Sequence, residues 1–317
     1  DTLCFADIGL TSVFCYDLEG KYIGNHLSQG RGPQELIQLD IVAPCKEGYH
    51  IMGGWNFYYV DRQWNKIQER YINWNSDKSV KYLYNHPDPN ETGIYELEYA
   101  GPNLRTLGKD YLVIPIVTEH VKYNSYGGTY ASHFYENTYT IGILTQDSAK
   151  LVKMMCNRSP IYSQYSYVPN FKNVIFDTYQ DTLFFSFEID PHIYQMDFST
   201  SQTIGFGEAG QQMNTDYPET KSLEEADEYN GEDRQKCGYY YHLKYVPETA
   251  LLFRSFHHGT PLTYDGLQVY KNQLLVAEYQ VPQGFRVIGY VPPYYYAEGK
   301  PDIDKEAMVF YRFKLPF

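Results

Sequence analysis

The chain has 317 residues, 43% of them hydrophobic and 17% aromatic, and 39 acidic against 26 basic residues leave a formal net charge of −13. No run of Lys and Arg exceeds a couple of residues, which excludes a nucleic-acid or anionic-membrane surface built on clustered cations and counterion release. No apolar run approaches the roughly 20 residues that cross a bilayer, so no transmembrane segment is expected, and the acidity is read as solubility.

In chain order the pattern is of short strands and tight turns. Leu3-Cys4-Phe5, Val13 to Asp17 and Tyr22 to Leu27 read as strands, the last two joined by the polar turn Leu18-Glu19-Gly20-Lys21. Gly30-Arg31-Gly32-Pro33 then breaks the pairing, because proline has no amide hydrogen for a ladder. From Leu39 to Trp74 four strands follow in meander order, which is one propeller blade.

Asn75 to Pro102 has little periodicity and is read as a loop. Leu104 to Leu107, Tyr111 to Val117, Tyr139 to Thr145 and Lys150 to Met155 make the next blade, interrupted by a Tyr-rich insertion from Glu119 to Asn137. Such an insertion on a fixed scaffold is where function is expected. A further blade runs from Asn173 to Phe206, and an acidic tract follows that is expected to hold a short helix capped by Ser222. Tyr239 to Tyr279 and Phe285 to Phe313 supply the remaining strands.

The expected fold is therefore all-β: a single six-bladed β-propeller domain over 1–317, built of four-stranded antiparallel blades. The strands are assigned to 1–27 together with 285–317, 39–74, 103–156, 172–207 and 238–281. The ring is expected to close by pairing the N- and C-terminal strands, which removes exposed edges.

Gly30-Arg31-Gly32-Pro33-Gln34-Glu35-Leu36, preceded by Tyr16-Asp17-Leu18-Glu19-Gly20-Lys21, resembles the linker of the TolB-like six-bladed propeller lipoproteins of anaerobic Gram-negative bacteria, and is similar to the looser NHL-type repeat. It departs from them at Gln34, where those families usually have glycine. The resemblance implies an exported protein, periplasmic or at the cell surface, with a lipid anchor outside the given chain. Arg31, Gly32, Pro33 and Glu35 are read as a structural linker, the arginine tying carbonyls and the glutamate accepting amides.

Cys4, Cys15, Cys45, Cys156 and Cys237 include no CxxC pair, so no zinc site follows. Cys4 and Cys15 can face each other on neighbouring strands and form one bridge, although buried free thiols are the preferred reading. The acidic tract Glu224 to Asp233 lacks the spacing of an EF-hand loop. His257 and His258 are adjacent on a strand, so they point to opposite faces and share a metal only if the loop bends them together. Asp40, Glu188, Asp190 and Glu278 are the carboxylates from which a glycosidase would draw its pair, and nothing in the sequence unites two of them. No GxSxG, HExxH, P-loop or dinucleotide fingerprint is present.

Tyrosine rings combine an apolar face with a hydroxyl, which suits sugar stacking or a protein interface. The expected ligand-binding residues are Tyr123, Tyr126, Tyr130, Tyr240, Arg254, His257, His258 and Tyr295. No catalytic residue, metal ligand or cofactor is assigned. The leading expectation is an exported binding or scaffold propeller presenting a Tyr-rich face to a glycan or protein partner at the cell envelope. The alternative is a polysaccharide hydrolase or lyase using carboxylates or histidines at the channel mouth.

Overall fold

The computed structural model describes residues 2–126, 131–302, 304–305 and 307–316. The chain is a six-bladed β-propeller of mainly four-stranded antiparallel sheets. It divides into two compact units, Asp1–Val117 with Ile141–Met155, and Thr118–Thr140 with Cys156–Phe317.

In the first unit, β1 (Leu3–Asp7), β2 (Ser12–Tyr16) and β3 (Tyr22–His26) form a three-stranded antiparallel sheet. Asp17 closes the β2–β3 turn: its Oδ1 accepts the amides of Glu19 (3.1 Å) and Lys21 (2.8 Å), while its own amide donates to the Lys21 carbonyl. Such an aspartate replaces backbone partners that a four-residue turn cannot supply. β4 (Ser28–Gln29) and β5 (Glu35–Leu36) then pair briefly in parallel around the Gly30–Pro33 loop. Glu35 Oε2 accepts the amides of Arg31 (2.8 Å) and Gly32 (2.7 Å), and a Cβ at Gly30 would collide with that carboxylate. The Arg31 side chain is exposed and binds no carbonyl among the described residues. Its part in the linker is its amide, a correction to the carbonyl-tying role expected of it.

The second sheet, β6 (Ile41–Cys45), β7 (Gly48–Gly53), β8 (Asn56–Asp61) and β9 (Lys66–Tyr71), matches the expected blade strand for strand. Asp61 repeats the turn of Asp17, accepting the amides of Gln63 and Asn65 at 2.9 and 2.8 Å. Leu36, Leu39, Ile51, Tyr58, Val60 and Trp64 pack with Val13 and Leu27 in one core, and Trp64 stacks on Tyr49 with ring centroids 3.9 Å apart.

The expected loop from Asn75 to Pro102 is more ordered than its pattern implied. It holds α1 (Val80–Asn85), capped by Ser79, and β10 (Tyr95–Leu97). β11 (Arg105–Leu107), β12 (Tyr111–Thr118), β13 (Tyr139–Thr145) and β14 (Leu151–Asn157) complete this sheet; both β10 and β11 pair with β12. One edge of β12 is thus covered by two three-residue pieces, each too short for alternation to register.

The second unit contains α2 (Ala131–Asn137) and the sheet β15 (Val174–Tyr179), β16 (Thr182–Phe187), β17 (Ile193–Asp197), β18 (Thr203–Phe206). Asp197 closes the β17–β18 turn in a longer form, its Oδ1 accepting the Thr200 amide at 2.9 Å while its own amide donates to the Gln202 carbonyl. The acidic tract forms α3 (Leu223–Lys236), with Ser222 as N-cap. β19 (Tyr239–Val246), β20 (Leu251–His257), β21 (Asp265–Lys271) and β22 (Leu274–Val281) follow, then β23 (Arg286–Val291), β24 (Tyr294–Glu298) and β25 (Phe310–Phe313). First strands lie side by side, β15 against β19 and β19 against β23.

Residues 1–27 and 285–317 were expected to share one blade through strand pairing. Instead β1–β3 and β23–β25 are separate three-stranded sheets, in which β1 pairs with β2 and β25 with β24. With each terminal segment forming its own sheet, the count of six is reached without joining them.

Candidate functional site

In the second unit, α3 delivers one side chain and the sheet β19–β22 the others. The helix follows its macrodipole, with Glu224 and Glu225 in the first turn and Arg234 and Lys236 in the last. Its buried side chains are only Ala226 and Asp233, so polar ties position it: Asn170 Nδ2 donates to the Ala226 carbonyl (2.9 Å) and to Asp233 Oδ2 (3.0 Å). Arg234 is fixed in turn. Its Nη1 donates to the Asn170 carbonyl (2.7 Å), its Nη2 to Glu188 Oε1 (2.8 Å), and the guanidinium lies 4.0 Å over the Tyr239 ring. Burial acts to lower the Arg234 pKa, but Glu188 and Tyr239 more than offset it and the net shift is upward.

Tyr239 opens β19, directly opposite His257 at the end of β20, and His257 stands opposite Asp265 at the start of β21. His257 Nδ1 is 2.8 Å from Asp265 Oδ1. Asp265 Oδ2 accepts the Tyr241 hydroxyl (2.9 Å) and the Gly284 amide (2.8 Å). Tyr241 reaches it because the β19–β20 register slips between Tyr240 and His242, a bulge that re-aims one side chain. Burial, then Asp265, raises the Tyr241 pKa well above the usual phenol range. With Nδ1 committed to the carboxylate, Nε2 of His257 has no partner among the described residues; it accepts when the ring is neutral and donates when it is protonated.

One pattern recurs in this unit. In Glu188–Arg234, Asp265–His257, Asp177–Lys244 and Asp190–His192 the carboxylate side chains are 3%, 4%, 1% and 1% exposed, whereas the basic partners are 28%, 14%, 25% and 55% exposed. The acids lie beneath and the donors face outward. In each of these pairs the group nearer solvent is therefore a hydrogen-bond donor rather than a carboxylate.

Of the residues expected to bind ligand, His257 stands in this cluster. Arg254 is fully buried: Nε and Nη2 bind Gln268 Oε1 at 2.9 and 2.7 Å, and Nη2 also donates to the carbonyls of Pro191 and Glu208, each at 2.8 Å. Tyr240 is buried under that guanidinium, 3.8 Å from it. His258 is buried against Phe256 and Tyr264, and Tyr295 lies in the apolar core of β20, β21 and β24. Burial removes these four from a ligand's reach and makes them packing residues. Tyr123 is also buried, whereas Tyr126 is 45% exposed with its hydroxyl on Glu119 Oε1 (2.7 Å). Tyr130 lies outside the described residues.

The insertion's neighbours serve as struts. Tyr135 accepts the Val168 amide (2.8 Å), Tyr167 donates to the Ser125 carbonyl, and Arg158 Nη1 binds Thr138 Oγ1 (2.7 Å). The carboxylates considered for glycoside hydrolysis each hold their own donors. Asp40 accepts the Gly54 amide, Glu188 holds Arg234, Asp190 holds His192 and Tyr194, and Glu278 holds Gln268 and the Gln211 amide. A cleft of about 290 Å³ in the same unit is lined by Phe184, Gln195, Phe206, Tyr245, Leu252 and Gln273 among others, with no charged side chain.

The reading from sequence missed Arg234, Asp265, Tyr239 and Tyr241 as members of one cluster. The Tyr239–Tyr241 triplet was a visible signal, but it named the middle residue, and the outer two face the site.

No protein-family model matches the sequence, and no curated protein is similar to it. Among solved structures the chain is similar to a member of the DUF4221 family from Bacteroides vulgatus, at 10% identity with a TM-score of 0.66, covering 99% of this chain and 90% of that one. It is also similar to a Bacteroides fragilis protein designated as exported, at 13% identity and a TM-score of 0.54, covering 94% of this chain and 76% of the other. At these identities the likeness carries the fold. No helix among the described residues is long and apolar enough to cross a membrane.

Proposed function

We propose that the chain is an exported, non-catalytic propeller that binds an acidic glycan through the cluster of Arg234, Tyr239 and His257, acting as one domain over 1–317. The observation that carries this reading is the orientation of the four carboxylate–base pairs, with every acid buried beneath its base. A ligand carboxylate meets the remaining guanidinium donors of Arg234 and, when the His257 ring is protonated, its Nε2–H, and the Tyr239 ring offers a stacking face. The exported designation of the Bacteroides fragilis neighbour supports an envelope address. On the TolB-like resemblance the full-length protein is lipid-anchored in the periplasm or at the cell surface.

The test is thermal melting against paired glycan fragments that differ in bearing uronate carboxylates. A ligand at 100 times its Kd stabilises the native state by about 2.7 kcal/mol. The uronate fragments should raise the Tm, the neutral ones should not, and His257→Gln should remove the shift while Tyr126→Ala preserves it. Equal shifts with neutral fragments, or an intact shift in His257→Gln, would overturn the assignment.

A lyase is the second reading, favoured by the Asp265–His257 pair. An imidazole held by a buried carboxylate, with its far nitrogen open, is the arrangement a general base needs, and Arg234 would neutralise the uronate whose α-proton is removed. Its signature is the ultraviolet absorbance of an unsaturated uronyl end appearing during incubation. A fragment that binds and is recovered unchanged leaves the non-catalytic reading standing.

A further inference from the structure

Cys4 and Cys15 are direct cross-strand partners in the antiparallel β1–β2 pair, and their Sγ atoms are 3.3 Å apart. Directly opposed residues of such a pair have Cα atoms about 4.5–5.5 Å apart, within the roughly 4.4–6.8 Å that a disulfide spans. Both sulfurs already point at each other, so closing the bond needs side-chain rotation and no movement of a strand. None of the other three cysteines is in a disulfide among the described residues, and Cys237 donates its thiol to the Asp216 carbonyl at 3.4 Å. The arrangement selects one pair out of five thiols.

We propose that Cys4 and Cys15 are a disulfide-forming pair that staples β1 to β2 when the chain meets a disulfide-bearing thiol oxidoreductase. Cys15 is buried and Cys4 exposed, so the incoming oxidant reaches Cys4 first. Cys4 Sγ, as thiolate, displaces one sulfur of the oxidant's disulfide and forms a mixed disulfide. Cys15 Sγ then attacks Cys4 Sγ, the bond to the oxidant breaks, and its second sulfur leaves. Two S–H bonds are lost from the pair, one S–S bond forms, and the two protons and two electrons end on the oxidant's dithiol. Burial, then the hydrogen bond with Cys15 and its charge, pushes the Cys4 thiol up to about 12, which keeps the attacking thiolate scarce, so the exchange is slow unless an oxidoreductase holds its own disulfide against Cys4.

The staple belongs where its sheet needs it. β1–β3 has three strands rather than four, and β3 is largely exposed. A covalent link across β1 and β2 holds the first strand in register without a fourth strand. The proposal rests on the exported reading for its compartment, since extracytoplasmic proteins are where such bonds persist, and rests on geometry alone for the choice of partners.

The experiment treats the folded protein with excess oxidised glutathione and a catalytic amount of a disulfide-bearing thiol oxidoreductase, blocks remaining thiols by alkylation, and maps peptides by mass spectrometry. The expected product is one peptide pair joining Cys4 to Cys15, with the intact mass lower by two hydrogens and a higher melting temperature than the reduced form. Cys45→Ser should leave the link intact, and Cys4→Ser should fold and melt like the reduced protein. Cys45 is the rival to exclude, because Cys4, Cys15 and Cys45 all stand close enough to Tyr49 to help raise its pKa after burial. A link through Cys45, or two alkylated thiols at positions 4 and 15 after full oxidation, would sink the proposal. If the pair links in vitro but is recovered as thiols from envelope fractions prepared with an alkylating agent, the pairing stands and the exported address fails.

Discussion

His50 and His257 both stand on the second strand of a four-stranded sheet, and their imidazoles have opposite surroundings. On β7, His50 faces Ala43 and Tyr59 on the neighbouring strands, lies 5.6 Å from the Phe57 ring and 5.3 Å from that of Tyr59, and has an Nδ1 with no hydrogen-bond partner. Burial lowers its pKa to about 4. On β20, His257 faces Tyr239 and Asp265, and Nδ1 is taken by the carboxylate. The residue type and the strand are the same in the plan of the blade. What differs is the side chain placed directly across the ladder, and that decides whether an imidazole fills the core or is held by a carboxylate nearer the surface.

The largest test of this contrast strips the second environment of its carboxylate. Asp265→Ala leaves the Tyr241 hydroxyl, the Gly284 amide and His257 Nδ1 without their acceptor, and should cost about 3–5 kcal/mol in equilibrium denaturation. A loss below about 1 kcal/mol would mean that the aspartate does not organise the site.

The next acts on the first environment through pH. The folded-state pKa of His50, about 4, is below its ordinary 6.5, so as pH falls the unfolded chain takes up the proton first. The stabilisation is complete above about 6.5 and is lost progressively toward 4, a difference of roughly 3 kcal/mol. Denaturation curves at several pH values should show that decline in the native sequence and its absence in His50→Leu. An unchanged slope in the variant would place the effect elsewhere.

A smaller effect probes the linker ahead of β6. Glu35→Ala removes the acceptor of two amides and should cost about 1–2 kcal/mol. Smallest of all, Tyr126→Phe gives up one exposed hydroxyl bond to Glu119, and should change stability by less than about 0.5 kcal/mol. A cost as large as that of Glu35→Ala would give the insertion's tyrosines a structural weight their exposure does not suggest.

The sheets were legible because their information is local. The blade β6–β9 could be read directly from Lys46-Glu47-Gly48, Gly53-Gly54 and the apolar runs between them, since each turn fixes the register of the two strands beside it. The site was not, for three physical reasons. β21 begins at Asp265, and only the register of β20 against β21 sets that residue across from His257. The bulge at Tyr241 breaks the alternation by which a triplet would be sorted into inner and outer rings. Arg234 depends on Asn170, 64 positions earlier, to hold its helix, a contact that no local pattern encodes.

The turns at Asp17 and Asp61 close the ends of β2 and β8 with the same bonds, an aspartate accepting the amides two and four residues on, and Asp197 closes β17 with a variant in which it accepts the amide three residues on. Leu18-Glu19-Gly20, Arg62-Gln63-Trp64 and Phe198-Ser199-Thr200 share no residue, so the likeness lies in the bonding and in the one acidic residue that makes it. One carboxylate oxygen thus fixes where each hairpin turns, whatever side chains surround it. A joint made this way tolerates a change of every letter around it so long as the aspartate and the amides it holds stay in place.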